Sequence, residues 1–137
     1  MIHLLSPTGH GIRGDPAGDG HFGSPRGSKH HQGTDFICTP GQQVYAPAKS
    51  IVIRNAYPYP KDTRYSGILL DAGWCLIKLF YLSPCLRKGV ELWRGQLIGI
   101  AQDISLKYPG QGMTPHIHME LSKISTNPEH YTIGGIE

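Results

Sequence analysis

The chain has 137 residues, 18 of them Gly and 11 Pro, with 39% hydrophobic and 17% charged residues and a formal net charge of +3. That length gives room for one core and too little for two, and the ordinary apolar content excludes an intrinsically disordered chain. The Gly and Pro content favours strands and turns over long helices, and the mild positive charge, which would suit an anionic polymer such as cell wall, comes with no Lys/Arg run to mark a nucleic-acid surface.

The chain opens on Met1-Ile2-His3-Leu4-Leu5 and runs straight into Ser6-Pro7-Thr8-Gly9, with no basic n-region and too short an apolar run for a signal peptide. Delivery to a target outside the cytoplasm is therefore expected through a dedicated machine, or after removal of an export signal. No stretch approaches the ~20 apolar residues of a membrane span. Residues 6 to 30 are dominated by Gly, Pro, Asp, Ser and His and read as a long loop or series of turns. A loop of that length in a small domain lines something. Short apolar runs follow: Gln43 to Ala46, Ser50 to Arg54, Gly67 to Asp71, Trp74 to Leu82, Gln96 to Ile100 and His116 to Leu121. Each has strand length and turn residues at its borders. Trp74 to Leu82 is nearly continuous apolar and reads as a central strand. Gly99 to Lys107 leaves room for a short turn of helix. Tandem short strands with tight connections predict a mainly β fold, an antiparallel sheet folded on itself or stacked on a second one, with long loops. Residues 1–137 form it as one domain. Cys38, Cys75 and Cys85 include no CxxC pair, allow one disulfide at most and read as small buried thiols.

Two patterns carry candidate chemistry. In His31-Gln32-Gly33-Thr34-Asp35 an ideal strand would put His31 and Asp35 on one face but ~13 Å apart. Metal bonds of ~2 Å close that gap only if the chain bends. Gly33 tolerates such a bend and leaves room for an ion. A solvated or capping role for the pair is the alternative. In His116-Ile117-His118-Met119-Glu120-Leu121, period-two alternation puts His116, His118 and Glu120 on one face and the apolar residues on the other. One imidazole can then bind a metal while its neighbour exchanges protons; a solvated polar stripe on an edge strand is the alternative. Glu120 either orients His118 or makes a surface salt bridge.

HxGxD followed at a distance by HxH resembles the lysostaphin/LytM-type zinc metallopeptidases. Pro40-Gly41-Gln42-Gln43-Val44-Tyr45-Ala46-Pro47 is similar to the family's segment after its first ligands. Gly89 through Gly95-Gln96-Leu97-Ile98-Gly99 is similar to its later turn and strand, and Phe22-Gly23 with Arg26 to its opening. The resemblance implies that His31, Asp35 and His118 bind Zn2+, with His116 in the position of the family's catalytic histidine. It selects His31 over His30, and leaves His3, His10, His21 and His130 as surface or groove residues, His21 nearest the cleft. It also implies walls for a narrow groove from the segment 9 to 27 and the loop Lys107 to Thr114.

The family's second active-site histidine is absent: in Leu79-Phe80-Tyr81-Leu82-Ser83, Tyr81 stands in its place. There the chain resembles the leukocyte-derived chemotaxin branch, which keeps the zinc ligands and is regarded as a signalling protein. Cys38 and Cys75 match two of that branch's cysteines, but their partners are missing, with Ser122 where one would stand. That points to a bacterial or phage relative. A protonated tyrosine cannot be the general base, but it can donate to an oxyanion while His116 serves as base; a plain core aromatic is the other reading of Tyr81. The implied function is a zinc endopeptidase that hydrolyses cross-link or stem peptides of bacterial peptidoglycan, acting in the periplasm or cell wall. A secretion apparatus and an immunity or inhibitor protein are the partners such an enzyme would have. The rival is a catalytically silent zinc-containing binding or signalling module. A purely structural zinc domain is disfavoured, since three protein ligands leave the site open.

Overall fold

The computed structural model describes residues 4–122. The Gly-rich opening folds into two tiny hairpins, β1 (Gly14–Asp15) with β2 (Gly18–Asp19) and β3 (Pro25–Arg26) with β4 (Lys29–His30). The remaining strands are β5 (Thr34–Ile37), β6 (Gln43–Tyr45), β7 (Ser50–Ala56), β8 (Gly67–Asp71), β9 (Leu76–Phe80), β10 (Leu82–Pro84), β11 (Glu91–Leu92), β12 (Leu97–Ala101) and β13 (His116–Ser122). A 3-10 turn at Ile104–Lys107 supplies the short helical piece, capped by the Asp103 side chain, which accepts from Ser105 N.

Six strands form one sheet in the order β11-β7-β8-β9-β13-β5, and three form a second in the order β10-β12-β6. All pairings are antiparallel. The core unites both sheets: Ile68, Leu70, Ile77, Leu79 and Ile117 from the first, Val44, Leu82 and Ile98 from the second. Burying each such side chain contributes ~1.5–3 kcal/mol. Alternation follows: with Ile117 and Met119 of β13 in the core, His116 and His118 sit on the other face, beneath the opening segment.

Three expectations need correction. Trp74 to Leu82 is not one strand. It ends at Phe80, and Tyr81, with φ 75°, swings the chain from the six-stranded sheet into the three-stranded one. A left-handed non-Gly residue costs ~1–2 kcal/mol. Here Ser66 O accepts from both Tyr81 N (2.8 Å) and Leu82 N (3.1 Å), and Tyr81 O accepts from Gln102 N (2.8 Å), which hold the turn. Gly33 makes room for something other than an ion. A Cβ on it would lie 2.3 Å from Met119 O and 2.8 Å from the His118 ring. Its missing side chain lets the chain press against β13. Lastly, Cys38 and Cys75 are buried, but Cys85 is exposed; all three are free thiols. Burial pushes the Cys38 thiol up to about 12.

Candidate metal centre

β5 and β13 are ladder neighbours, and their register sets His118 opposite Asp35. Opposed side chains on one face start ~4.5–5.5 Å apart, so an imidazole and a carboxylate meet there without strain. His118 Nδ1 lies 2.8 Å from Asp35 Oδ1. The chain before β5 bends at Gln32-Gly33 and brings His31 Nε2 to 3.0 Å from His118 Nδ1 and 3.2 Å from Asp35 Oδ1. The ligand atoms of His31, Asp35 and His118 all lie within 4.8 Å of one another, and all three residues are buried.

Each imidazole is held from behind. His31 Nδ1 donates to the His21 carbonyl at 3.1 Å, which leaves its Nε2 lone pair facing the cluster. His118 Nε2 donates to Glu120 Oε1 at 2.9 Å and turns Nδ1 inward. Such backing is what metal-bound imidazoles use to fix tautomer and orientation. Two nitrogen lone pairs and a carboxylate oxygen packed this closely repel one another unless a cation sits among them. The donor set fits Zn2+ and leaves a fourth tetrahedral position open. Burial would lower the His118 pKa, but its bonds to Asp35 and Glu120 outweigh burial and raise it to about 8. Burial opposes ionisation of Asp35 as well, yet the His118 hydrogen bond and the imidazole charges hold its carboxyl below the usual range.

His116 lies beside the cluster. Its Nδ1 donates to Thr114 O at 2.7 Å, which leaves Nε2 free, 3.6 Å from Asp35 Oδ2. Burial lowers its pKa against the pull of Asp35, which favours the neutral ring. Tyr81 faces the same space, its ring 5.4 Å from that of His116 in an edge-on arrangement. The left-handed turn breaks strand alternation here, so Phe80 stacks on His118 at 5.9 Å while Tyr81 also reaches the histidines. Burial pushes the Tyr81 phenol up to about 12. It is a neutral donor.

A cavity of about 330 Å³ opens over these groups. Arg13, Ala17 and Arg26 wall it from the opening segment, Tyr108, Gln111 and Met113 from the later loop, the two segments that the family resemblance implies. A third wall was not foreseen. Tyr59, from the β7–β8 loop, bonds through its hydroxyl to Tyr108 at 2.8 Å and Tyr81 at 3.4 Å, with Lys107 Nζ 4.4 Å over its ring. Arg13 was missed too. It is 4% exposed and places Nη1 3.0 Å from Asp35 Oδ2. A lone arginine in a polar loop carries no periodicity to signal burial. His10, His21 and His30 have exposed side chains, and His21 contributes only its carbonyl. His3 and His130 lie outside the described residues.

No protein-family profile matches the chain. It is 33% identical over 112 residues to leukocyte cell-derived chemotaxin-2 of Bos taurus, covering 81% of this chain and 72% of that protein. The Mus musculus counterpart is 32% identical over 107 residues, with 77% and 69% covered. The chain belongs to the family of leukocyte cell-derived chemotaxin-2. Among solved structures, the catalytic domain of lysostaphin from Staphylococcus simulans superposes with a TM-score of 0.56 at 22% identity, covering 79% of this chain and 81% of that domain. A zinc-containing peptidase from Vibrio cholerae gives a TM-score of 0.58 at 22% identity over 88% of this chain. The chain spans 36% of that peptidase. This chain thus combines the fold of these peptidases with sequence relatives among the chemotaxins. Among the described residues no helix is long and apolar enough to cross a membrane.

Proposed function

We propose that residues 1–137 form one LytM-type peptidase domain, a zinc-dependent endopeptidase that hydrolyses peptide bonds in bacterial peptidoglycan, in the periplasm or cell wall. The observation that carries this reading is the buried convergence of His31, Asp35 and His118 under an open cavity, with the His116 imidazole alongside. Zinc, when bound by these three residues, supplies Lewis-acid polarisation of a carbonyl and a lowered water pKa. His116 Nε2, freed by the Nδ1 bond to Thr114, takes the proton from the attacking water and passes it to the leaving amine. The Tyr81 hydroxyl, neutral at working pH, donates to the charge that develops on the carbonyl oxygen.

A second reading is favoured by one observation, Tyr81 in place of a histidine, and supported by the chemotaxin relatives: a silent zinc-containing binding module. The two separate in one experiment. Zinc-loaded protein is incubated with purified sacculi and the soluble fragments are identified by mass spectrometry. Peptide fragments with new amino termini from wild type, and none from Asp35→Ala, support the enzyme. No fragments from any sacculus type at full zinc occupancy would leave the binder. Delivery by a secretion or phage-type apparatus belongs to the enzyme reading. Periplasmic expression should then round or lyse cells with wild type and not with Asp35→Ala.

A further inference from the structure

The buried Arg13 guanidinium plays no part in the chemistry above, yet it joins the groups that do. Its Nη1 is 3.0 Å from Asp35 Oδ2, and its Nε is 2.9 Å from Asp15 Oδ2. Asp15 Oδ2 also accepts from Thr114 N at 2.8 Å, and Thr114 O accepts from His116 Nδ1 at 2.7 Å. Contacts through Arg13, Asp15 and the Thr114 backbone therefore link the metal-facing carboxylate to the neighbouring imidazole.

We infer that Arg13 is the positioning residue of this centre: it offers one oxygen of Asp35 to the metal and ties that carboxylate to His116 through Asp15 and Thr114. The inference rests on the zinc reading. Oδ1 of Asp35 faces the His31 and His118 imidazoles, while Oδ2 is held by Arg13, with His116 Nε2 at 3.6 Å and Arg26 Nη2 at 3.8 Å. A carboxylate free to rotate presents both oxygens to a cation; one whose Oδ2 is held by a guanidinium presents one. The backbone holds Arg13 in place. Its N–H donates to Asp35 O at 2.9 Å, Gly20 N donates to Arg13 O at 2.8 Å, and Asp35 N donates to Gly20 O at 2.8 Å. Gly20 is needed at this junction, because a Cβ there would lie 2.9 Å from Asp35 Cβ and 3.0 Å from Arg13 Cβ. The planar fork of an arginine can serve Asp15 and Asp35 together, whereas the single ammonium of a lysine cannot hold both in that geometry.

Cobalt(II) added to the full chain is the probe, since its visible bands weaken as a site goes from four to five donors. Wild type is expected to take up one equivalent with intense bands. Arg13→Lys should bind cobalt about 10–100-fold more weakly in competition with a chelator, the loss usual when a group behind a metal ligand is changed. Its bands should also be weaker, because the released Oδ2 joins the metal. Asp15→Asn, which loosens Arg13 without removing it, should shift both readouts the same way by less, and serves if Arg13→Lys does not fold. Wild-type affinity and spectrum in a folded variant would overturn the role of Arg13. Failure of wild type itself to bind cobalt would overturn the zinc reading, and this inference with it.

Discussion

His118 and Asp35 face each other across one ladder, and His31 stands four residues before Asp35 on the same stretch of chain. On the opposite wall, Tyr59, Tyr81 and Tyr108 come from the β7–β8 loop, the β9–β10 turn and the residue after the 3-10 turn. The histidine cluster is built by short spacing and strand register, with ligand atoms at 2.8–3.2 Å. The tyrosine cluster is built by long connections, its hydroxyls at 2.8–3.4 Å. A polar cluster that needs a cation is closely determined by its own residues. A row of neutral phenols is determined by whatever brings the loops together.

The largest effect should come from Asp35→Ala. The variant leaves two imidazoles and Arg13 facing an uncompensated gap, so it should hold less than a tenth of the wild-type zinc and show no hydrolysis. Elemental analysis of chelator-free protein is the check; half an equivalent or more in the variant would break the assignment of this cluster. His116→Ala comes next. Since Nε2 of His116 lies beside the converging atoms and not among them, zinc content and fold should survive while kcat drops ~10²–10⁴-fold, the usual worth of general acid–base catalysis. Zinc loss as complete as in His118→Ala would mean that the roles of the two histidines are wrong.

Tyr81→Phe asks whether the second cluster shares in the chemistry. If its hydroxyl donates in the transition state, kcat should fall ~10²–10³-fold with KM little changed. Near wild-type rates would make Tyr81 a wall residue. Tyr81→His should retain activity or raise it. A wild type inert on every peptidoglycan, beside an active Tyr81→His, would favour the silent module.

The unequal construction explains what could be read from the sequence. HxH with intervening Ile117 and Met119 is a strand pattern that fixes its own face, and the observed β13 matches it. HxGxD needed a bend, and the bend falls at Gly33, although for contact with β13 instead of space for an ion. Tyr81 was legible as a departure from the family but not as a left-handed turn, because nearly continuous apolar residues on both sides look like a single strand. Tyr59 and Arg13 were not legible. Their importance comes from partners 22 residues or more away in sequence, which neither composition nor period encodes.

Acid sharpens the contrast on the histidine side. Burial opposes ionisation of Asp15, but the Thr114 N–H and Arg13 outweigh it and hold the carboxyl below its usual range. A folded-state pKa below the unfolded value means stability that is present above the unfolded value of ~3.9 and is lost as pH falls through the folded one. Denaturant melts of wild type and Asp15→Asn should therefore differ by ~1–3 kcal/mol near pH 7, and the gap should begin to narrow below pH ~3.9 and close as pH falls through the folded-state pKa. A gap that does not narrow at all as pH falls below ~3.9 would mean that the Asp15 charge is not what the contact uses.

The smallest effect expected is that of Tyr59→Phe. Its bond to Tyr81 is long, 3.4 Å, whereas its bond to Tyr108 is 2.8 Å, so the phenol serves the outer wall first. Burial and these two bonds keep Tyr59 protonated, which makes it a neutral hydrogen-bonding group. Tyr81 owes its place mainly to its own backbone, through the left-handed turn and the Ser66 and Gln102 bonds. Removing one neutral hydrogen bond costs ~0.5–1.5 kcal/mol, so kcat should fall about two- to tenfold, well short of the loss in Tyr81→Phe. Steady-state rates for the two single variants and the double decide the point. If Tyr59→Phe loses as much as Tyr81→Phe, and the double variant loses no more than either, the phenols act as one unit and the backbone turn is not what places the Tyr81 hydroxyl.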